Sequence, residues 1–244
     1  MTRYLALAAA LALSMTACGG DEKNSAAPPP FTPSQTPSAT PSKTPTGTAS
    51  TPAVRVTRTS TELTGALPGL SDLPSGFSVD KSEDDGSKPF STPSSRCKTL
   101  VKYLNATKAP GAKVSVSRTF TGGQEGPYVD YGLDSMGTSD EVTDLRDSYA
   151  KAVDSCSKVT LKTEGAGSTS MKVEKITAPE YGSEPFAFRL TGTSGPKRGL
   201  EYAAVVTGVG DVILSVGVLA GQGTELEPAT EVAVTKARQL LKPA

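Results

Sequence analysis

Residues 202–219 are apolar almost without interruption. Tyr202, Ala203, Ala204, Val205 and Val206 follow one another, Gly208-Val209-Gly210 intervenes, and Val212, Ile213, Leu214, Val216, Val218 and Leu219 resume the run. A strand with one face in water alternates polar and apolar residues, whereas a strand that is apolar at nearly every position must be covered on both sides. The stretch therefore reads as a central hairpin buried on both faces. The rest of the chain has to supply the flanking strands and the helices that cover them.

Those elements are visible as local periods. Residues 113–120 set Val114, Val116 and Phe120 against Ser115, Ser117 and Thr119, and residues 128–133 place Val129, Tyr131 and Leu133 in step, so the two runs predict a hairpin across residues 122–127. Further strands are expected near 158–163, 168–177, 185–191, 199–207 and 211–220, with Phe186, Phe188 and Leu190 alternating in the third. A helix is expected from Ser94, where Cys97, Leu100, Val101 and Leu104 fall on one face. Thr138-Ser139-Asp140-Glu141 is a capping box opening a second helix through Val142, Leu145, Tyr149, Ala152, Val153 and Cys156. Thr224 and Glu227 suggest another box, opening a helix that buries Ala229, Val232, Ala233, Ala237, Leu240 and Leu241. Residues 63–77, with repeated Leu-Pro and Gly, read as short turns against the core. The expected fold class is α+β, a largely antiparallel sheet of about seven strands with three helices packed on it, within residues 61–244.

What precedes the domain turns on Cys18. Arg3 supplies a positive start, residues 5–13 (LALAAALAL) an apolar run, and Met15-Thr16-Ala17-Cys18 resembles a bacterial lipobox. The run is far shorter than the ~20 residues a helix needs to span a bilayer. Residues 1–17 therefore read as a lipoprotein signal peptide and Cys18 as the lipidated residue. Residues 18–60 are rich in Pro, Thr and Ser and repeat every four residues through Thr32-Pro33, Thr36-Pro37, Thr40-Pro41 and Thr44-Pro45. Such a segment buries too little apolar surface to offset its ordering entropy, and its prolines keep it extended, to ~130 Å at full stretch. With Cys18 lipidated, the remaining cysteines, Cys97 and Cys156, are the one pair left to form a disulfide in an exported chain.

Composition narrows the chemistry. The 25 basic and 25 acidic residues cancel, so nothing steers the chain to nucleic acid. Histidine is absent, which excludes Ser-His-Asp, Cys-His and His-metal chemistry. Gly208-x-Gly210 and Gly221-x-Gly223 lack the third glycine of a dinucleotide fingerprint and read as turns. The acidic run at residues 83–85 lacks the alternating ligands of a calcium loop, and no metal or cofactor is expected. Asn105-Ala106-Thr107 matches a glycosylation sequon, a chance match in a chain with a lipobox. Asp130, Asp134, Asp140 and Glu141 are the carboxylates available for acid–base work; Asp140 and Glu141 fit a helix N-terminus better, and Asp130 the solvent face of a strand.

The segment Leu-Pro-Gly-Leu-x-Asp-Leu-Pro-x-Gly-Phe (residues 67–77), Cys97 ahead of Leu100, the run 128–156 and the closing 210–241 resemble actinobacterial lipoproteins similar to the PknH-like extracellular sensor domain. The resemblance covers most of residues 62–242. It implies a ligand-sensing module with a cleft between sheet and helices, binding rather than catalysis. The kinase sensor of that family carries two disulfides where this chain has cysteines for one, and no binding-residue motif transfers. The expected function is thus a monomeric lipoprotein, anchored to the membrane at Cys18 on its extracytoplasmic face, whose domain meets an envelope lipid, glycan or protein ligand. A scaffold without a pocket is the alternative, and a histidine-free carboxylate hydrolase a more remote one.

Overall fold

In the computed structural model, which describes residues 55–81 and 87–241, the apolar hairpin is β8 (Glu201–Val209) and β9 (Val212–Leu219). It turns at Gly210, whose φ of 61° lies in the left-handed region that glycine adopts freely. Around it stand β1 (Ser78–Val79), β2 (Phe90–Ser91), β3 (Val114–Thr121), β4 (Tyr128–Ser135), β5 (Lys158–Thr163), β6 (Gly167–Ile176) and β7 (Ser183–Ser194). All pairings are antiparallel, in the order β1-β3-β4-β9-β8-β7-β6-β5-β2, so the hairpin does occupy the middle of the sheet.

Strand alternation divides the core in two. Val205, Val212, Leu214 and Val216 point to one face, where they pack with Leu63 and Ala66 of α1 (Ser60–Ala66) and with Ala233, Val234 and Ala237 of α4 (Leu226–Leu240). On the other face Phe186, Phe188, Leu190 and Ala204 meet Leu100 of α2 (Lys98–Leu104) and Ala152 and Val153 of α3 (Ser139–Asp154). Leu63 and Leu100 are 0% exposed. Each such leucine contributes about 2 kcal/mol by leaving water.

Among the described residues the sheet has nine strands where about seven were expected, and the α-helices number four where three were expected. The extra strands, β1 and β2, are two residues long at the sheet edges, too short to carry a period. β2 is held instead by a side chain: the Phe90 N–H donates to Asn105 Oδ1 at 3.0 Å and Asn105 Nδ2 donates to the Phe90 carbonyl at 2.8 Å. The extra helix, α1, replaces the expected turns just ahead of Leu67. Its capping box is explicit, with the Glu62 N–H donating to Thr59 Oγ1 at 3.2 Å and the Thr59 N–H to Glu62 Oε2 at 2.7 Å.

At the other end α4 starts later than the Thr224 box implied. Glu225 stands at its N-cap, and that carboxylate accepts from the Gln222 N–H. The buried stripe is rotated accordingly, with Thr230 and Val234 inside and Leu240 55% exposed.

Cys97, just before α2, and Cys156, just after α3, form a disulfide with Cα atoms 4.7 Å apart. The residues from 55 to 58, at the end of the expected linker, already belong to the domain: the Val56 N–H donates to the Gly137 carbonyl at 2.8 Å, and Arg58 pairs with Asp211. Residues 1–17, Cys18, the linker up to residue 54 and the acidic run at 83–85 lie outside the described residues. Among those described, no helix is long and apolar enough to cross a membrane.

Candidate functional site

α3 packs across β6 to β9 and α2 beside β2, and between them and the sheet lies a cavity of about 470 Å³. Its floor follows from strand alternation. On β4, Val129, Tyr131 and Leu133 enter the α1/α4 core, which leaves Asp130, Gly132 and Asp134 on the cavity side. Their register partners continue the strip: Thr119, Ser117 and Ser115 on β3, and Gly217, Ser215 and Ile213 on β9. Beyond β9 the floor turns apolar through Tyr202, Ala204 and Val206 of β8, Phe188 of β7 and Met171 of β6. Leu100, Tyr103 and Leu104 of α2 and Tyr149 of α3 form the wall. The cavity thus has a polar side toward β3 and β4 and an apolar side beneath the helices.

Two glycines keep the floor low. A Cβ at Gly132 would lie 2.5 Å from Ser215 Oγ, and one at Gly217 would lie 2.6 Å from the Tyr202 hydroxyl. Both distances are inside van der Waals contact, so glycine is what lets Tyr202 lie across the strip opposite Asp130.

The carboxylates are held at a cost. Asp134 is 7% exposed and accepts from the Ala109 N–H at 3.1 Å and from the Ser115 side chain. Asp130 accepts from Thr119 Oγ1 at 2.7 Å. Burial pushes both carboxyls above the ordinary carboxylate range; their hydrogen bonds pull back, Asp80 pushes Asp130 further up, and Lys108 lowers Asp134. Burial also raises the Tyr149 and Tyr202 phenols, helped by Asp134 and Asp130 respectively. The Tyr103 and Tyr149 rings stack at 4.3 Å between centroids, tilted by 38°.

A raised folded-state pKa means that the folded form holds the proton more tightly than the unfolded chain. The resulting destabilisation is absent below the unfolded pKa of ~3.9 and grows as pH rises through the folded value. Asp130→Asn is therefore expected to raise the urea midpoint at pH 7 and leave it unchanged near pH 3. A lower midpoint at pH 7 than the parent would contradict this assignment.

The expected acidic residues separate into two groups. Asp140 and Glu141 occupy the first turn of α3, where the Glu141 N–H donates to Thr138 Oγ1 at 3.2 Å, and take no part in the cavity. Asp130, expected on the solvent face of a strand, lies half-buried on the cavity floor, because α2 and α3 wall in that side of the sheet. Asp130 and Asp134 stand four positions apart on one strand, about 13 Å along it, beyond the ~5–9.5 Å over which two carboxylates act on one bond. Among the described residues no cluster of His, Cys, Asp and Glu suits a metal. Tyr202, Ser215 and Gly217 also line the cavity, and their trace in the sequence is slight: Ser215 and Gly217, two apart in an otherwise aliphatic strand, mark one face as different.

No family model matches the chain, and no characterised protein matches it by sequence. In fold it is similar to the crystal structure of the extracellular domain of PknH from Mycobacterium tuberculosis, with a TM-score of 0.55, 16% identity, and coverage of 73% of this chain and 94% of that one. The likeness shows the fold alone, an α+β domain built on one large antiparallel sheet.

Proposed function

We propose that this chain is an actinobacterial surface lipoprotein, cleaved before Cys18, acylated there, and carrying a non-catalytic, sensor-like binding domain on its extracytoplasmic side. Acylation with two or more chains suffices for stable anchoring without a membrane helix. The fold shared with the extracellular domain of PknH supports the sensor-like reading. The observation that carries it is the cavity itself: about 470 Å³, within the ~300–1,000 Å³ of small-molecule sites, and lined mainly by apolar side chains with a few polar groups on one side. Its occupant is an envelope lipid or glycan fragment, and the domain works as a monomer.

The test is extraction and mass spectrometry of protein purified from its own envelope, beside the variant Ser117→Trp. Ser117 is exposed on β3 at the cavity's polar side, so a bulky ring there obstructs the cavity without entering the core. The expected result is an N-terminal peptide beginning at an acylated Cys18, and a co-purifying small molecule that the variant loses. An unmodified Cys18 refutes the anchor, and a parent protein without any small molecule refutes the pocket.

A further inference from the structure

We infer that the cavity selects amphiphilic cations, taking an apolar body beneath α2 and α3 and holding a single ammonium head at Asp130. The inference rests on the cavity's being a binding site and adds the charge of what it binds.

Of the side chains lining the cavity, three carry charge: Asp130, Asp134 and Lys108. Their placement is unequal. Lys108 is exposed on the loop after α2 and acts on Asp134, which is already tied to the Ala109 N–H and the Ser115 side chain. Asp130 receives one hydroxyl from Thr119, and the charged group acting on it is a second carboxylate, Asp80. Among the described residues no cation of the chain pairs with Asp130. Its register partner is Gly217, and the Tyr202 ring lies over that glycine.

An ammonium group placed there meets a carboxylate partly removed from water, the added negative charge of Asp80 and the Tyr202 ring that covers Gly217. A half-desolvated carboxylate attracts a cation more strongly than one in bulk water, and an aromatic ring adds to that attraction. An anion in the same place is repelled by both acids, and a neutral polar head leaves the Asp130 charge without a counterion. The apolar part has a defined place too, since the floor changes from Asp130 and Gly132 to Ala204, Val206 and Phe188 across neighbouring strands. Charge on one side and hydrocarbon on the other is the complement of an amphiphile.

The test uses three probes with one chain length, octylammonium, octyl glucoside and octanoate, each below its micelle concentration, with binding read by calorimetry and thermal shift on the intact domain. Octylammonium is expected to bind roughly tenfold or more tightly than octyl glucoside, and octanoate the most weakly. Asp130→Asn is expected to abolish the margin of the cation over the glucoside. Asp80→Asn, which removes the second negative charge acting on Asp130, is expected to reduce the margin without abolishing it, an independent reading of the same charge preference. Equal or tighter binding of octyl glucoside or octanoate overturns the cation preference and leaves the binding reading standing. Failure of all three probes to bind overturns both.

Discussion

Replacing Cys97 and Cys156 together by alanine is expected to cost the domain about 4 kcal/mol in urea unfolding, from the loss of a cross-link spanning 59 residues. The figure comes from the loop that the bridge closes in the unfolded chain, and it is large beside the ~5–15 kcal/mol that stabilises ordinary domains. Native packing concentrates the effect. α2 has seven residues, fewer than the ~12–15 an isolated helix needs even to be marginal in water, so it persists because it is tied down. Leu100 anchors it in the core, and the disulfide fixes its start to the end of α3. Since α2 and α3 together wall the cavity, the variant should also lose probe affinity at temperatures where the sheet is still intact. A thermal midpoint lowered by roughly 8–15 °C is the corresponding change for a domain of this size. A loss below ~1 kcal/mol would mean that the unfolded chain gains little freedom from the open loop, against the loop-entropy account.

How far the sequence reveals this arrangement depends on how each feature is encoded. Long elements with one period show themselves: the capped α3, the β3–β4 hairpin and the doubly buried β8–β9 pair lie where their side-chain patterns place them. α1 left a trace in Thr59 and Glu62, three residues apart, but the Leu-Pro repeats that follow favour turns, and the helix was not expected. The rotation of α4 was not legible. Thr224 and Glu227 have the spacing of a capping box, yet the Glu225 carboxylate turns back to the Gln222 N–H and the helix starts a residue later, so packing chose among rival starts that local chemistry allows. β1 and β2 could not be read at all, since their two-residue pairings depend on strands and side chains distant in sequence.

The cavity is encoded by exceptions to pattern. Asp130, Gly132 and Asp134 alternate with Val129, Tyr131 and Leu133, which is how a strand with one wet face looks. What distinguishes a wet face from a cavity floor is a helix walling it from across the sheet, and α2 and α3 are contributed by residues on either side of the β3–β4 hairpin in the chain. The small residues Gly132, Ser215 and Gly217 are the local trace of that arrangement, because a floor beneath a space needs no bulk of its own.

Arg58→Ala is expected to destabilise the domain by about 3–5 kcal/mol, the cost of leaving a buried carboxylate without its partner. Arg58 Nε lies 3.1 and 3.2 Å from the two Asp211 oxygens and its Nη2 lies 2.6 Å from Oδ1, with side chains only 9% and 5% exposed. The Ser135 hydroxyl donates to Asp211 Oδ2 at 3.3 Å, and the pair holds the Arg58 guanidinium above its ordinary pKa. Because the pair is shielded from solvent, added salt should change the loss little. The double replacement Arg58→Met with Asp211→Leu is expected to recover most of the stability, since two apolar groups leave no charge buried. Urea unfolding of the parent, both single variants and the double variant closes the cycle, and single losses that simply add would show that the pair is not coupled. The position of this pair gives it a second consequence. Arg58 lies just ahead of α1, and Asp211 sits in the turn of the central hairpin, so the start of the described domain is clamped to the middle of its sheet. A pull from Cys18 would meet the Val56–Gly137 hydrogen bond first, then pass into the β8–β9 turn through Arg58, and only then into α1. Under pulling from the N-terminus, Arg58→Ala should therefore release α1 at a lower force than the rest of the sheet, whereas the parent should yield in a single step.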